Sequence, residues 1–281
     1  MGATIRVAAV QMEPILGEVG RNLGRIRAGV EHAAGEGARL AIFPECALSG
    51  YGFPSREAGL AHAVAIDGPE GAAIAESARG AGCGCIFGLL EKDGGRLYNA
   101  CVLVDASGAV VGRYRKIHLP FLGIDMHVDP GDGPLDVVEI AGLRVGVLIC
   151  YDGAFPEASR VLALRGADLI ALPTNWPTHS ECQAEHMVPT RAMENTVYVA
   201  AVNRVGVESG FRFIGASSIA DPAGAVLAKA DDSQEITLFA DVDPERARNK
   251  RLVRVPGRHE LNRFADRRPA FYGPLVEPNG R

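Results

Sequence analysis

Glu45, Lys116 and Cys150 each stand at the end of an apolar run, and together they could attack an electrophilic carbon. Cys150 closes the run Val145-Gly-Val-Leu-Ile-Cys150, after which Tyr151, Asp152 and Gly153 turn the chain towards a helical stretch holding Glu157. A thiol so placed is held by a buried strand yet faces a cleft at the strand's end, as a nucleophile must. Glu45 directly follows Leu40-Ala-Ile-Phe-Pro44, and Lys116 lies near the end of the alternating segment Val110-Val-Gly-Arg-Tyr-Arg-Lys116. Alone, each has a plainer reading: a core cysteine, a helix-start anion, a solvated strand charge. The three together are harder to dismiss.

Their chemistry would run as follows. A free thiol has a pKa near ~8.5, so little of it is thiolate at neutral pH. Glu45 would take its proton during attack, and Lys116 would steady the oxyanion, with the backbone N–H of Tyr151 as second donor. One oriented donor of this kind contributes ~3–4 kcal/mol to a transition state. Glu45 would then protonate the departing nitrogen, leaving an acyl-thioester on Cys150 for water to hydrolyse. No metal and no organic cofactor is required. Zinc is a poor fit, because Cys83-Gly-Cys85 runs into a strand-like segment and no second Cys/His pair has finger spacing.

The elements that must position these groups read as alternating strands and helices. Strands are expected at 5–11, 40–43, 85–91, 98–104, 109–114, 135–140, 143–149, 169–172, 198–202, 215–219, 225–228 and 236–241. Helices are expected at 22–36, 69–79, 156–165 and 181–195, the last disturbed by Pro189. Hairpin signals at Lys92-Asp-Gly-Gly95 and Asp105-Ala-Ser-Gly108 mix antiparallel pairs into an α/β pattern. Nothing marks a domain boundary, so 1–281 reads as one domain. The stretch from Asn249 to Arg268 holds seven Lys/Arg against Glu260 and Asp266. With little aromatic interleaving, it reads as part of a C-terminal oligomerisation arm over 245–281 rather than a nucleic-acid site.

A net charge of −5 argues against bulk nucleic-acid binding, and no run approaches the ~20 apolar residues that span a bilayer. Scattered cysteines and the lack of a basic-then-apolar opening segment make a reduced, cytoplasmic setting the expectation.

Phe43-Pro-Glu45, Arg115-Lys-Ile-His-Leu119 and Ile149-Cys-Tyr-Asp152 resemble the three segments that carry the Glu-Lys-Cys triad of the nitrilase, or carbon–nitrogen hydrolase, superfamily. The resemblance runs from Ile5-Arg-Val-Ala-Ala-Val-Gln-Met12 to Ile219-Ala-Asp-Pro-Ala-Gly224. It implies a four-layer αββα sandwich, paired with a second subunit as a homodimer or higher homo-oligomer. It also implies a second acid between Lys116 and Pro130-Gly131, where this chain offers no Glu and only Asp125 or Asp129. An Asp is one methylene shorter, which puts its reach in question; Asp125 is the favoured candidate. Tyr151-Asp152 after the cysteine resembles the amidase-like branch, whereas nitrilases usually place Trp-Glu there. Gly153-Ala154 stands where ω-amidase-like members carry an Arg, so the stretch is more similar to aliphatic amidases acting on small neutral amides. Arg191 or Arg204 is left as a source of a cation for a charged substrate.

Pocket candidates are Tyr151, Asn175, Trp176 and Phe121, with Phe53 also in view. Arg191-Ala-Met-Glu-Asn195 resembles a family segment near the active site, with Glu194 supporting, or else is a helix-end salt bridge. The expected activity is hydrolysis of a small amide. The alternatives are an N-carbamoyl amine hydrolase, a glutaminase-type subunit feeding a synthetase, and a non-catalytic scaffold.

Overall fold

Continuous apolar runs build two six-stranded sheets whose central strands are buried on both faces. The computed structural model describes residues 4–231 and 234–277. Its first half runs β1 (Ile5–Gln11), α1 (Val19–Gly35), β2 (Leu40–Ile42), α2 (Arg56–Leu60), α3 (Pro69–Ala81), β3 (Gly84–Asp93), β4 (Arg96–Val104) and β5 (Val110–Arg115). The second continues with β6 (Val137–Ile140), β7 (Leu143–Val147), α4 (Pro156–Leu164), β8 (Leu169–Thr174), α5 (Val188–Asn195) and β9 (Tyr198–Asn203). A ribbon of β10 (Val207–Glu208) and β11 (Phe211–Arg212) follows, then β12 (Ser218–Ala220), β13 (Val226–Lys229) and β14 (Ile236–Val242). The described chain closes with α6 (Pro244–Arg248) and a second ribbon of β15 (Arg251–Val255) and β16 (His259–Asn262).

The sheets are ordered β14-β1-β2-β3-β4-β5 and β13-β12-β9-β8-β7-β6. In each, three strands run parallel: β1 to β3 in the first, β7 to β9 in the second. On β1, Val7 and Ala9 join the core shared with the second sheet, while Ala8 and Val10 pack with Ile26 and Val30 of α1 and Ile74 and Ala78 of α3. Leu162 of α4 and Val188 and Ala192 of α5 pack with the second sheet. The result is the expected four-layer αββα sandwich.

Two expected elements shift for backbone reasons. Strand β12 begins at Ser218 rather than Gly215, because Gly215 and Ala216 take φ of 55° and 53°, outside the extended region. The helix expected over 181–195 contains a π-helical turn at Gln183–Met187 before α5. Pro189 has no N–H to give and its ring crowds the carbonyl one turn back, so the widened turn sits just ahead of it. The short α2 and the two ribbons carry too few residues to show a period.

Of the expected C-terminal arm, 245–277 are described and 278–281 lie outside the described residues. Its beginning is tied down. Arg248 pairs with buried Asp168 at 2.8 Å, Lys250 Nζ donates to Thr196 O at 2.7 Å, and Phe264 lies beneath the cations of Arg160 and Lys250. Further on, Phe271, Leu275 and Val276 are exposed. Among the described residues no helix is long and apolar enough to cross a membrane.

Candidate active site

Glu45 owes its position to an interrupted strand. Pro44 cannot donate to a ladder, so pairing stops after Phe43 N–H reaches Ile86 O at 2.8 Å, and Cys46 turns the chain at φ 49°. This turn lies directly on β3 at Gly88, where a Cβ would stand 2.4 Å from the Cys46 nitrogen and 2.6 Å from Pro44 O. Only glycine allows so close an approach.

Lys116 follows β5, its N–H donating to Asn99 O and its C=O accepting from Gly131 N–H, both at 2.8 Å. Its Nζ donates to Glu45 Oε1 at 2.7 Å and Asp125 Oδ2 at 2.5 Å, with all three side chains fully buried. Burial disfavours the ammonium, but Asp125 and Glu45 outweigh that and hold Lys116 well above the usual lysine range. For Glu45 burial dominates and raises it, against the pull of Lys116 and with the help of Asp125. Oε2 of Glu45 is buried with no partner among the described residues.

The shorter Asp125 does reach. A 3-10 turn at Gly123–Met126 brings its backbone inward, anchored by Ile124 N–H on Tyr51 O at 2.9 Å. The Tyr51 hydroxyl lies 2.8 Å from Asp125 Oδ2. Asp129 goes elsewhere, accepting from Arg56 and from Leu97 N–H.

Cys150 comes from the other sheet. Strand β7 stops at Val147, and Cys150 sits at φ 48° at the head of a 3-10 turn, a left-handed conformation that costs a non-glycine residue. It is 7% exposed. Burial pushes its thiol up, Glu45 adds to this, and Lys116 and a hydrogen bond from the Asn175 backbone oppose it. The resting group is therefore a thiol that needs a base.

Asp152 ties this elbow down. Its Oδ2 accepts from the Tyr114 hydroxyl at 2.8 Å and from Ile149 N–H at 3.0 Å. Its Oδ1 accepts from His118 N–H at 3.0 Å and lies 2.7 Å from His118 Nδ1, which must carry the hydrogen because a carboxylate only accepts. Asp152→Ala strips a buried acceptor from four donors. The expected loss is about 3 kcal/mol of stability, read from the urea midpoint, and about 10²-fold in kcat through misplacement of Cys150. A variant of unchanged midpoint and rate would sink the assignment of Asp152 as the elbow's anchor.

The other expected residues divide. Asn175 is buried beside Cys150, and neither polar atom of its side chain has a partner among the described residues. Trp176 is buried in the same apolar cluster as Cys150 and exchanges hydrogen bonds with Asn203 through its backbone. Phe53 is likewise buried, in a satellite cluster with Tyr51 and Ile124. Tyr151 stands partly exposed, edge-on to Phe155. Phe121 is a correction: it is 94% exposed, carried outward after Pro120 at the loop's tip, and forms no wall in the single chain. Glu194 holds Arg191 at 2.9 Å, and Arg191 donates to Gly153 O and Ala154 O. The salt bridge and the supporting role are thus one arrangement, bracing the residues just after Cys150.

Sequence reasoning passed over Asn99, whose Nδ2 donates to Glu45 Oε1 at 2.6 Å and Asp125 Oδ1 at 2.9 Å. The available signal was a lone polar residue inside the apolar segment Leu97 to Val104, since buried amides are seldom idle. Glu208 was passed over too; it accepts from Tyr51 N–H and Gly52 N–H and pairs with buried Arg204 at 2.7 Å.

The sequence pattern of the carbon–nitrogen hydrolase family matches residues 6–252. The chain belongs to this family. Within the carbon–nitrogen hydrolases it is 39% identical to a protein named nitrilase from Pyrococcus abyssi, over 95% of this chain and 99% of that one. It is 30% identical to an omega-amidase of Homo sapiens, over 96% and 97% of the two chains. An amidase of Nesterenkonia sp. AN1, solved with the acetamide moiety of fluoroacetamide on its active-site cysteine, superposes with a TM-score of 0.79 at 26% identity, covering 96% of each chain. These relatives set this carbon–nitrogen hydrolase in the amidase-like branch of the nitrilase superfamily, among enzymes that hydrolyse amides.

Proposed function

We propose that this carbon–nitrogen hydrolase cleaves small, neutral carboxamides to carboxylic acid and ammonia through a thioester on Cys150. One observation carries the reading: a carboxylate oxygen of Glu45 with no partner among the described residues, a Lys116 ammonium with two of its three hydrogens given to carboxyls, and a strained thiol on Cys150 occupy one buried cluster. Glu45 takes the thiol proton as sulfur bonds to the carbonyl carbon, and the carbonyl π electrons move onto oxygen. Lys116 and the backbone N–H of Tyr151 receive that oxyanion. When it collapses the C–N bond breaks, and Glu45 returns its proton to the nitrogen, which leaves as ammonia. Water, deprotonated by Glu45, then attacks the thioester; the thiolate leaves and regains the proton.

The neutrality of the substrate rests on the two arginines. Arg191 is engaged by Gly153 O, Ala154 O and Glu194, and Arg204 by Pro14 O and Glu208. Neither is available to fork onto a substrate carboxylate.

The test is intact mass and ammonia release with acetamide, propionamide and butyramide, set beside a dicarboxylate monoamide, N-carbamoylputrescine, glutamine and acetonitrile. An acyl adduct lost in Cys150→Ala, with the neutral amides turned over fastest, is the expected result. A monoamide bearing a carboxylate that outruns butyramide would overturn the substrate class. No adduct and no ammonia from any of them would overturn the activity. The same reading keeps the C-terminal segment as a self-association arm, supported by its exposed Phe271, Leu275 and Val276. Sedimentation of the full chain as a monomer at micromolar concentration would remove that role.

A further inference from the structure

Two carboxyl groups share one ammonium here, yet their hydrogen bonds are unequal. Asp125 has donors on both oxygens: Asn99 Nδ2 on Oδ1, and Lys116 Nζ and the Tyr51 hydroxyl on Oδ2. Glu45 has both of its donors, Lys116 Nζ and Asn99 Nδ2, on Oε1, and among the described residues Oε2 has none. Asn99 is the group that makes this division. Its carboxamide spends both hydrogens on the carboxyls, while its Oδ1 faces the Cys46 thiol at 3.5 Å. The reversed amide would set its oxygen against two acceptors, so the orientation is determined by its neighbours.

We infer that Asn99 is the positioning residue that assigns the mobile proton to Glu45 Oε2 and denies it to Asp125. With Oε1 already accepting two hydrogen bonds, a proton taken from Cys150 settles on Oε2, the oxygen free to hand it to a leaving nitrogen. Asp125 has a donor on each oxygen and neither is bare as Oε2 is, so it serves as the counter-charge of Lys116. The inference rests on Glu45 being the base for Cys150.

Glu45 faces Lys116 after β5, Asp125 on the following loop, Cys150 at the elbow, Cys101 on β4, and Cys46 and Tyr51 in its own loop. Among these, Asn99 is a neutral donor that favours the ionised base. Asn99→Ala therefore raises Glu45 further. The acid limb of activity moves to higher pH by about one unit, and kcat at neutral pH falls about 10-fold with KM little changed.

The experiment follows alkylation of Cys150 by iodoacetamide against pH, by peptide mass spectrometry, in wild type, Asn99→Ala, Asn99→Leu and Glu45→Gln. Exposed Cys182 is the internal reference, and Asn99→Leu, with the same branched four-heavy-atom side-chain skeleton as Asn, controls for a cavity. The expected result is an acid limb that shifts upward in both folded Asn99 variants and that in Glu45→Gln is replaced by a single rise at the higher pH where the buried thiol itself ionises. A folded Asn99 variant with an unmoved limb overturns the inference, even if it is slower or less stable. A limb that keeps its wild-type midpoint in Glu45→Gln instead overturns the reading of Glu45 as the base.

Discussion

Cys150→Ala is expected to lower turnover of a responsive amide by at least about 10⁴-fold while the protein folds normally, since the proposed acyl intermediate is carried on its sulfur. The comparison that probes the geometry is Cys150→Gly. Both variants lack the thiol and should be equally inactive. They differ in whether a Cβ must be held at φ 48°, a conformation that costs an L-residue about 1–2 kcal/mol and glycine almost nothing. The glycine variant should therefore melt a few degrees higher than the alanine variant by calorimetry. Equal melting temperatures would mean the elbow relaxes when the sulfur is removed, and the strain belongs to the thiol's contacts. Alanine retaining the wild-type rate would end the covalent mechanism altogether.

Lys116→Met carries the second large effect, and it has two parts. Loss of the cation removes an oriented donor from the oxyanion, for an expected fall in kcat of about 10²–10³-fold. It also leaves Glu45 and Asp125 facing each other in a buried site. Breaking a buried pair from one side typically costs about 3–5 kcal/mol. The two parts separate in a triple variant, Glu45→Gln, Asp125→Asn and Lys116→Met, which has no charge left to strand. It should regain most of the lost urea resistance and none of the rate. A single Lys116→Met variant that keeps wild-type kcat, with only KM raised, would show that the lysine binds the ground state and not the transition state.

What the sequence disclosed about this site follows from how far each cause reaches along the chain. Pro44 after a three-residue strand, and Gly153 after an apolar run, are local punctuation, so the strand-end positions of Glu45 and Cys150 were readable. The α/β alternation with mixed sheets was readable for a similar reason, whereas the four-layer stacking was an expectation from the family resemblance alone. Reach across space was not. Whether Asp125 could touch Lys116 depended on a 3-10 turn docking on Tyr51, 74 residues away in sequence. Asn99 acts through pairing of β4 with its neighbours, and its own segment reveals only that it is out of place among apolar residues. Phe121 misled because an aromatic on the loop that follows Lys116 has the right composition for a wall, while only the course of the loop after Pro120 decides which way it faces. Arg191 and Arg204 were open as substrate ligands until their carbonyl and carboxylate partners were seen.

The convergence of two sheets on one site has a consequence for how the molecule comes into being. Glu45, Asn99 and Lys116 arrive on the first sheet, and Cys150 and Asn175 on the second. A refolding chain can complete either sheet, with its secondary structure and its covering helices, and still possess no enzyme. Recovery of activity after dilution from denaturant is therefore a clock for the docking event alone, and should lag the recovery of circular dichroism wherever the halves mature before they meet.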